Sequence, residues 1–400
     1  MTLRISTAGI YSGGINAILD RQTQLARTQQ QIATGKRVRS AADDPVAAVQ
    51  LQQLDRLVAQ QQQYGTNSVA ATNRLQVEEQ ALSDTTTLLQ RVRDLVIQAN
   101  TDTATAADQQ TIAAQISSSI AELQSIANRR DSQGDYLFAG LAVATKPFVQ
   151  TVSGAITYVG DTGAHYSQID TAVAVADSDP GATVYTGIAA GNGTFIISPA
   201  ATNTGTASVD TGTVVNAGAW VPGNYTLSFT APDAWQVTSS GGAVIASGVY
   251  QAGSAINFQG VQVTVDGAPA AGDSFAITPA GRTDAFAILQ QVSGALQTAA
   301  DTSAGRANLH SQLALSLQQI DSALNQVANV RSTVGSRLAT LDDVGATRDA
   351  RVADMQTSIS QLRDLDYASA VTRLNQQMVG LQAAQQSFAM ISKLSLFNYL

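Results

Sequence analysis

The sequence predicts an α + β multidomain protein, in which both chain ends form a long antiparallel α-helical coiled-coil rod that carries an inserted antiparallel β domain. Three observations lead there. Towards both ends apolar residues recur every three or four positions, the spacing that lines one face of a helix. In the middle they alternate every second position, as in strands with one buried face. The middle is also set apart by charge, because no Lys or Arg lies between Lys146 and Arg282.

The first helix carries Ile15, Ile18, Leu25 and Ile32, a heptad seam weakened by Gln22 and Gln29. It should stop at Thr34-Gly35-Lys36. A second helix is expected to begin at Asp43-Asp44-Pro45, where Asp44 can cap free amides and Pro45 needs no N–H in the first turn. It should run through Leu54, Leu57, Leu75, Leu82, Leu89, Val92 and Val96 to about Ala99. At 1.5 Å per residue, such a helix would be roughly 80 Å long. A third helix is placed at about residues 105–131.

Short alternating runs in the insert (155–159, 224–229, 261–265) read as strands, with Gly160-Asp161, Asn192-Gly193 and Asp266-Gly267 as hairpin turns. Beyond the insert a helical stretch over 283–345 carries a seam from Leu309 to Leu341, and a last helix carries Leu374, Met378, Leu381, Phe388, Ile391, Leu394 and Phe397. This gives three domains: terminal assembly helices at 1–44 and 360–400, a helical rod at 45–149 and 282–359, and a β-rich insert at 150–281. The Gln-broken first stripe and the apolar last one are the expected assembly interface, because neither can finish burying itself on one chain.

Composition excludes several functions. A net charge of −8 and a pI near 4.7 offer no footprint for nucleic acid or an anionic membrane. There is no Cys, hence no disulfide, thiolate nucleophile or Cys-based zinc site. The opening residues lack the pattern of a cleaved Sec-type signal, so export by another route is expected.

Candidate chemical motifs have plainer readings. His165 and His310 read as surface polar residues, Asp342-Asp343 as solvated charges, Gly191-Asn192-Gly193-Thr194 as a turn, and Trp220 and Trp235 as strand packing. No nucleotide-binding, nucleophile-elbow or metalloprotease motif occurs. The expectation is a protein that is not an enzyme and needs no cofactor or metal.

Several stretches resemble the flagellin family. They are Gln30-Gln31-Ile32-Ala33-Thr34-Gly35-Lys36-Arg37-Val38, Ala41-Ala42-Asp43-Asp44-Pro45-Val46, Leu365-Asp366-Tyr367-Ala368, Leu381-Gln382-Ala383 and the closing Leu394–Leu400 run. Asp-Asp-Pro, Tyr136-Leu137-Phe138-Ala139-Gly140 and Phe258-Gln259-Gly260-Val261 look more like the members that join hook to filament than like the filament subunit. The resemblance implies an extracellular structural subunit, exported unfolded through the flagellar type III apparatus and needed for motility. It also implies the partners: other copies in a ring, flagellin templated above, the preceding hook-associated protein below, and an export chaperone on the C-terminal region. Flagellin itself, or a secreted adhesin whose β insert binds a surface ligand, are the alternatives.

Overall fold

A computed structural model describes residues 7–393 of the chain. In order they form α1 (Thr7–Thr34), α2 (Pro45–Ala99), α3 (Ala106–Ala127), β1 (Phe148–Gln150), β2 (Ile156–Tyr158), β3 (Tyr166–Asp170), β4 (Val173–Ala176) and the single turn α4 (Gly181–Val184). There follow β5 (Ile188–Ala189), β6 (Phe195–Pro199), β7 (Ser208–Val209), β8 (Thr213–Val214), β9 (Tyr225–Ala231), β10 (Ala234–Ser239), β11 (Val244–Val249) and β12 (Ala255–Phe258). The chain continues with β13 (Val261–Asp266), β14 (Ser274–Pro279), β15 (Arg282–Thr283), α5 (Ala285–Thr298), α6 (Ser303–Arg363) and α7 (Tyr367–Lys393). Two compact units result, one from the described residues up to Thr66 and from Val344 onward, the other from Asn67–Asp343.

In the first unit α1 and α7 lie side by side, joined to α2 and α6 by two tight connections. Gly35 ends α1 with φ at +67°, a value that glycine adopts without steric cost. The chain then pairs with the α6–α7 connection: Arg37 donates its N–H to the Arg363 carbonyl at 2.7 Å, and Leu365 donates to Gly35 at 2.9 Å. Val38, Ala47, Leu51 and Ile359 close a small core beneath this corner. Leu57, expected on the seam, is instead 46% exposed.

The second unit has two centres. In the helical one, Leu75, Leu82, Leu89, Val92 and Val96 of α2 are fully buried, as are Ile116 and Leu123 of α3, Leu289 and Val292 of α5, and Leu313, Ile320 and Val334 of α6. The stretch 283–345 is two helices rather than one. Thr302 caps α6 by accepting the Gly305 N–H at 3.0 Å, and the run Asp301-Thr302-Ser303 supplies residues that favour a helix start over a helix interior. α3 stops at Ala127, short of residue 131, because Asn128 turns its side chain to the neighbouring strand and accepts the Phe148 N–H at 2.9 Å.

Segments β1, β2 and α4 belong to this helical centre through their rings. Phe148 sits 5.1 Å from Phe286 of α5 and 5.4 Å from Tyr185, centroid to centroid. The other centre is a β-sandwich. One antiparallel sheet has the order β11-β10-β9-β14-β6, the other β12-β13-β7 with β8 also on β13. Alternation puts Val261, Val263 and Val265 of β13 against Tyr225, Leu227 and Phe229 of β9 in one core.

None of the three expected hairpin turns joins strands that pair with each other. β2 pairs with β1, β6 with β14, and β13 with β12, β7 and β8. Hairpins form instead at β1–β2, β3–β4, β9–β10, β10–β11 and β12–β13. At the last, Gln259 and Gly260 both hold positive φ, 45° and 77°, the backbone of a two-residue turn whose twist matches the strands. The Asn192 turn is closed by its own side chain, which accepts from Thr194 and Phe195 N–H at 3.0 and 2.9 Å. Trp220 stacks near Phe195 and Tyr225, and Trp235 donates to the Val249 carbonyl at 3.2 Å, so both serve packing.

Candidate assembly surface

The paired chain ends are held at close range by glycines. Phe388 of α7 meets Tyr11 of α1 edge-on, centroids 5.7 Å apart. Its ring also lies over Gly14, where a Cβ would come 2.7 Å from Cδ2. Farther along, the Arg21 side chain lies over Gly380, and Tyr367 over Gly35. The numbers fall on one helix as they rise on the other, so the two run antiparallel.

Of the residues expected at the interface, Ile18, Leu25, Ile32, Leu374, Leu381 and Phe388 are half-buried. Ile15 and Met378 are exposed, at 48% and 44%. Ile391 lies in the α7 backbone, but its side chain falls outside the described ones, and Leu394 and Phe397 lie outside the described residues. Gln22 and Gln29 point to solvent rather than into the seam. Apolar side chains outside the expected interface also stay open to solvent: Leu19, Val371, Val379 and Met390 are 53%, 45%, 66% and 63% exposed. Heptad stepping passes over these positions, though an apolar content too large for one stripe signals them.

At the corner, the two aspartates divide their work. Asp44 Oδ1 accepts the Ala47 N–H at 3.0 Å at the start of α2, and its Oδ2 accepts from Arg37 at 3.2 Å. Arg37 also reaches the Leu362 carbonyl at 2.6 Å. Asp43 Oδ2 instead closes the preceding loop by accepting the N–H groups of Arg39 and Ser40, both at 3.2 Å. The Ala47 and Arg39 N–H groups hold these two carboxyls below their ordinary range. Asp366 caps α7 similarly, accepting from Ala368 N–H at 3.0 Å and from the Ser369 hydroxyl at 2.7 Å. An open cleft of about 730 Å³ beside the corner has Val38, Ala48 and Leu51 as its floor and Lys36, Arg39 and Arg363 at its rim.

The two histidines belong to the second unit. His165 Nδ1 is 2.7 Å from Asp177, and His310 Nε2 is 3.5 Å from Asp102. Among the described residues no group of three or more His, Asp or Glu side chains is placed to hold a metal ion, and no helix is long and apolar enough to cross a membrane.

Antiparallel terminal helices around a β insert define subunits of the flagellin type. Residues 5–142 match the bacterial flagellin N-terminal helical region and 317–400 the C-terminal helical region, while 198–279 match the D2-like domain of flagellar hook-associated protein 1. Flagellar hook-associated protein 3 of Escherichia coli K12 is 24% identical over 397 residues, 99% of each chain. The crystal structure of flagellar hook-associated protein 3 from Legionella pneumophila is 32% identical, with a TM-score of 0.74 over 78% of this chain and 98% of that one. The crystal structure of the flagellar junction protein FlgL from the same organism superposes with a TM-score of 0.72 at 31% identity, over 78% and 99%. The chain belongs to the flagellar hook-associated protein 3 family, whose members are structural parts of the extracellular flagellum.

Proposed function

We infer that this chain does no chemistry and works as the subunit that joins hook to filament, with copies of itself in a ring. Flagellin assembles on one side of that ring, the preceding hook-associated protein lies on the other, and an export chaperone holds the C-terminal region beforehand. The observation that carries this reading is the pair α1–α7, which has an apolar stripe on its seam and another facing outward. Burying such exposed side chains is worth roughly 1.5–3 kcal/mol each, which favours assembly. Correspondence with a hook-associated protein 3 over 99% of both chains favours a junction over a filament subunit.

A deletion strain tests it. Cells lacking the chain should keep hooks, lose filaments and release flagellin into the medium. Filaments in that strain would sink the reading, and seeded growth of the purified chain into long filaments would mark it as flagellin. Removing only the sandwich, residues 195–279, should leave swimming largely intact, whereas an adhesin would lose its activity.

A further inference from the structure

The polar interior of the second unit is short of positive charge. Where residues 177–180 pass between α2 and α6, Arg337 grips Asp179 through both terminal nitrogens, at 2.8 and 2.9 Å. Arg74 donates to Asp131 at 3.0 Å and faces Asp177 at 3.9 Å. Two guanidinium groups thus already serve three aspartates.

A fourth carboxyl, Glu78 of α2, stands among them with no exposed surface. Its Oε1 accepts the Asp179 N–H at 3.0 Å, while its Oε2 has no hydrogen-bond partner. His165 and the Ser167 hydroxyl are engaged on Asp177, each at 2.7 Å, and the Tyr185 hydroxyl with Thr85 at 3.1 Å, while Arg74 Nε and Nη2 and the Ser178 hydroxyl are buried without a hydrogen-bond partner and none of them reaches Glu78 Oε2. An ionised Glu78 would be a buried anion beside Asp179 whose Oε2 no guanidinium reaches within hydrogen-bond distance, a costly arrangement.

We propose that Glu78 is buried as the neutral acid and acts as a proton-operated clamp, holding residues 177–180 to α2 and α6 more firmly as the surroundings acidify from neutral. Burial first, and then the charge of Asp179, raises its pKa well above the ordinary value, against the opposing pull of the Asp179 N–H, Arg337 and Arg74. The direction of the pH effect follows. Unfolded, Glu78 titrates near its ordinary pKa of about 4.3. Between that value and the raised folded one, the native state binds more protons, so stability falls as pH rises through the window and then levels off. An extracellular location exposes the clamp to the pH of the medium.

The chain holds three glutamates, Glu78, Glu79 and Glu122, so carbon-13 labelling of glutamate isolates the group in infrared or NMR spectra. The intact wild-type chain should keep one protonated glutamate at about pH 7, well above the ordinary range, and Glu78→Gln should lack that signal. Thermal unfolding gives a second readout, since Gln preserves the acceptor for the Asp179 N–H. The melting temperature of the variant should match wild type near pH 5 and exceed it near pH 8, by about 2–4 °C for each unit by which folding raises the pKa. Complete ionisation of all three glutamates in the native wild-type chain at pH 7 overturns the proposal, as does a melting difference that stays constant across that range. The wild-type spectrum decides alone should the variant fail to fold.

Discussion

Tyr367 closes over Gly35, its hydroxyl lying where a Cβ on that glycine would stand 2.9 Å away. The contact ties the end of α1 to the start of α7 at the corner where Gly35 already holds φ at +67°. A side chain at position 35 therefore meets both an unfavourable backbone region and an occupied space. Gly35→Ala should destabilise the first unit by about 1–3 kcal/mol. Faster amide exchange at Arg37 and Leu365, with exchange in the second unit unchanged, is the expected result.

Phe388 bridges Tyr11 and Gly14 in the terminal pair. A charge there, or at Leu381, would be placed on the apolar seam and would lose its water on assembly. Phe388→Asp and Leu381→Asp should abolish incorporation into the flagellum while secretion continues and the second unit stays folded. Normal swimming by either strain would count against the assembly role.

Asp44 joins acid sensitivity to a helix start. Because the Ala47 N–H holds its folded pKa below the ordinary value, its contribution is present above the ordinary carboxylate range and disappears as pH falls through the lowered folded value. The first turn of α2 should thus fray in acid. Asp44→Asn, which keeps a capping oxygen without a titrating charge, should remove that dependence, and exchange of the Ala47 amide measured from pH 6 downward, with the ordinary aspartate value near 3.9, would reveal it.

The Gln259-Gly260 turn sets the register between Phe258 and Val261. A non-glycine residue at φ 45° carries strain that Asn tolerates better than Gln. Gln259→Asn should stabilise the sandwich by a few tenths of a kcal/mol, about 0.5 at most. Gly260→Ala should cost about 2 kcal/mol or more, since φ is positive and its Cβ would collide with the Asn216 carbonyl. Urea unfolding of the two variants separates these outcomes.

Much of the fold is legible in the sequence. The start of α2 at Pro45 and its end at Ala99 follow from Asp44, the proline and a 3.6-residue period, because caps and propensity act between residues a few positions apart. The strand content of the insert followed from alternation for the same reason. Strand partners did not, since Asn192-Gly193 and Asp266-Gly267 specify a reversal without specifying which strand lies alongside. Nor did the outward apolar stripe of Leu19, Val371, Val379 and Met390, which is defined by what α1 and α7 leave uncovered once packed.

The helical character of both chain ends, the strand-rich middle and the family were thus written in neighbouring residues. Which carboxyl lacks a cation, which ring fills which hollow and which face stays bare depended on the folded chain. Asp179 meets Glu78 across 101 positions and Arg337 across 158. Burial and charge balance are properties of such distant encounters, and no local pattern encodes them.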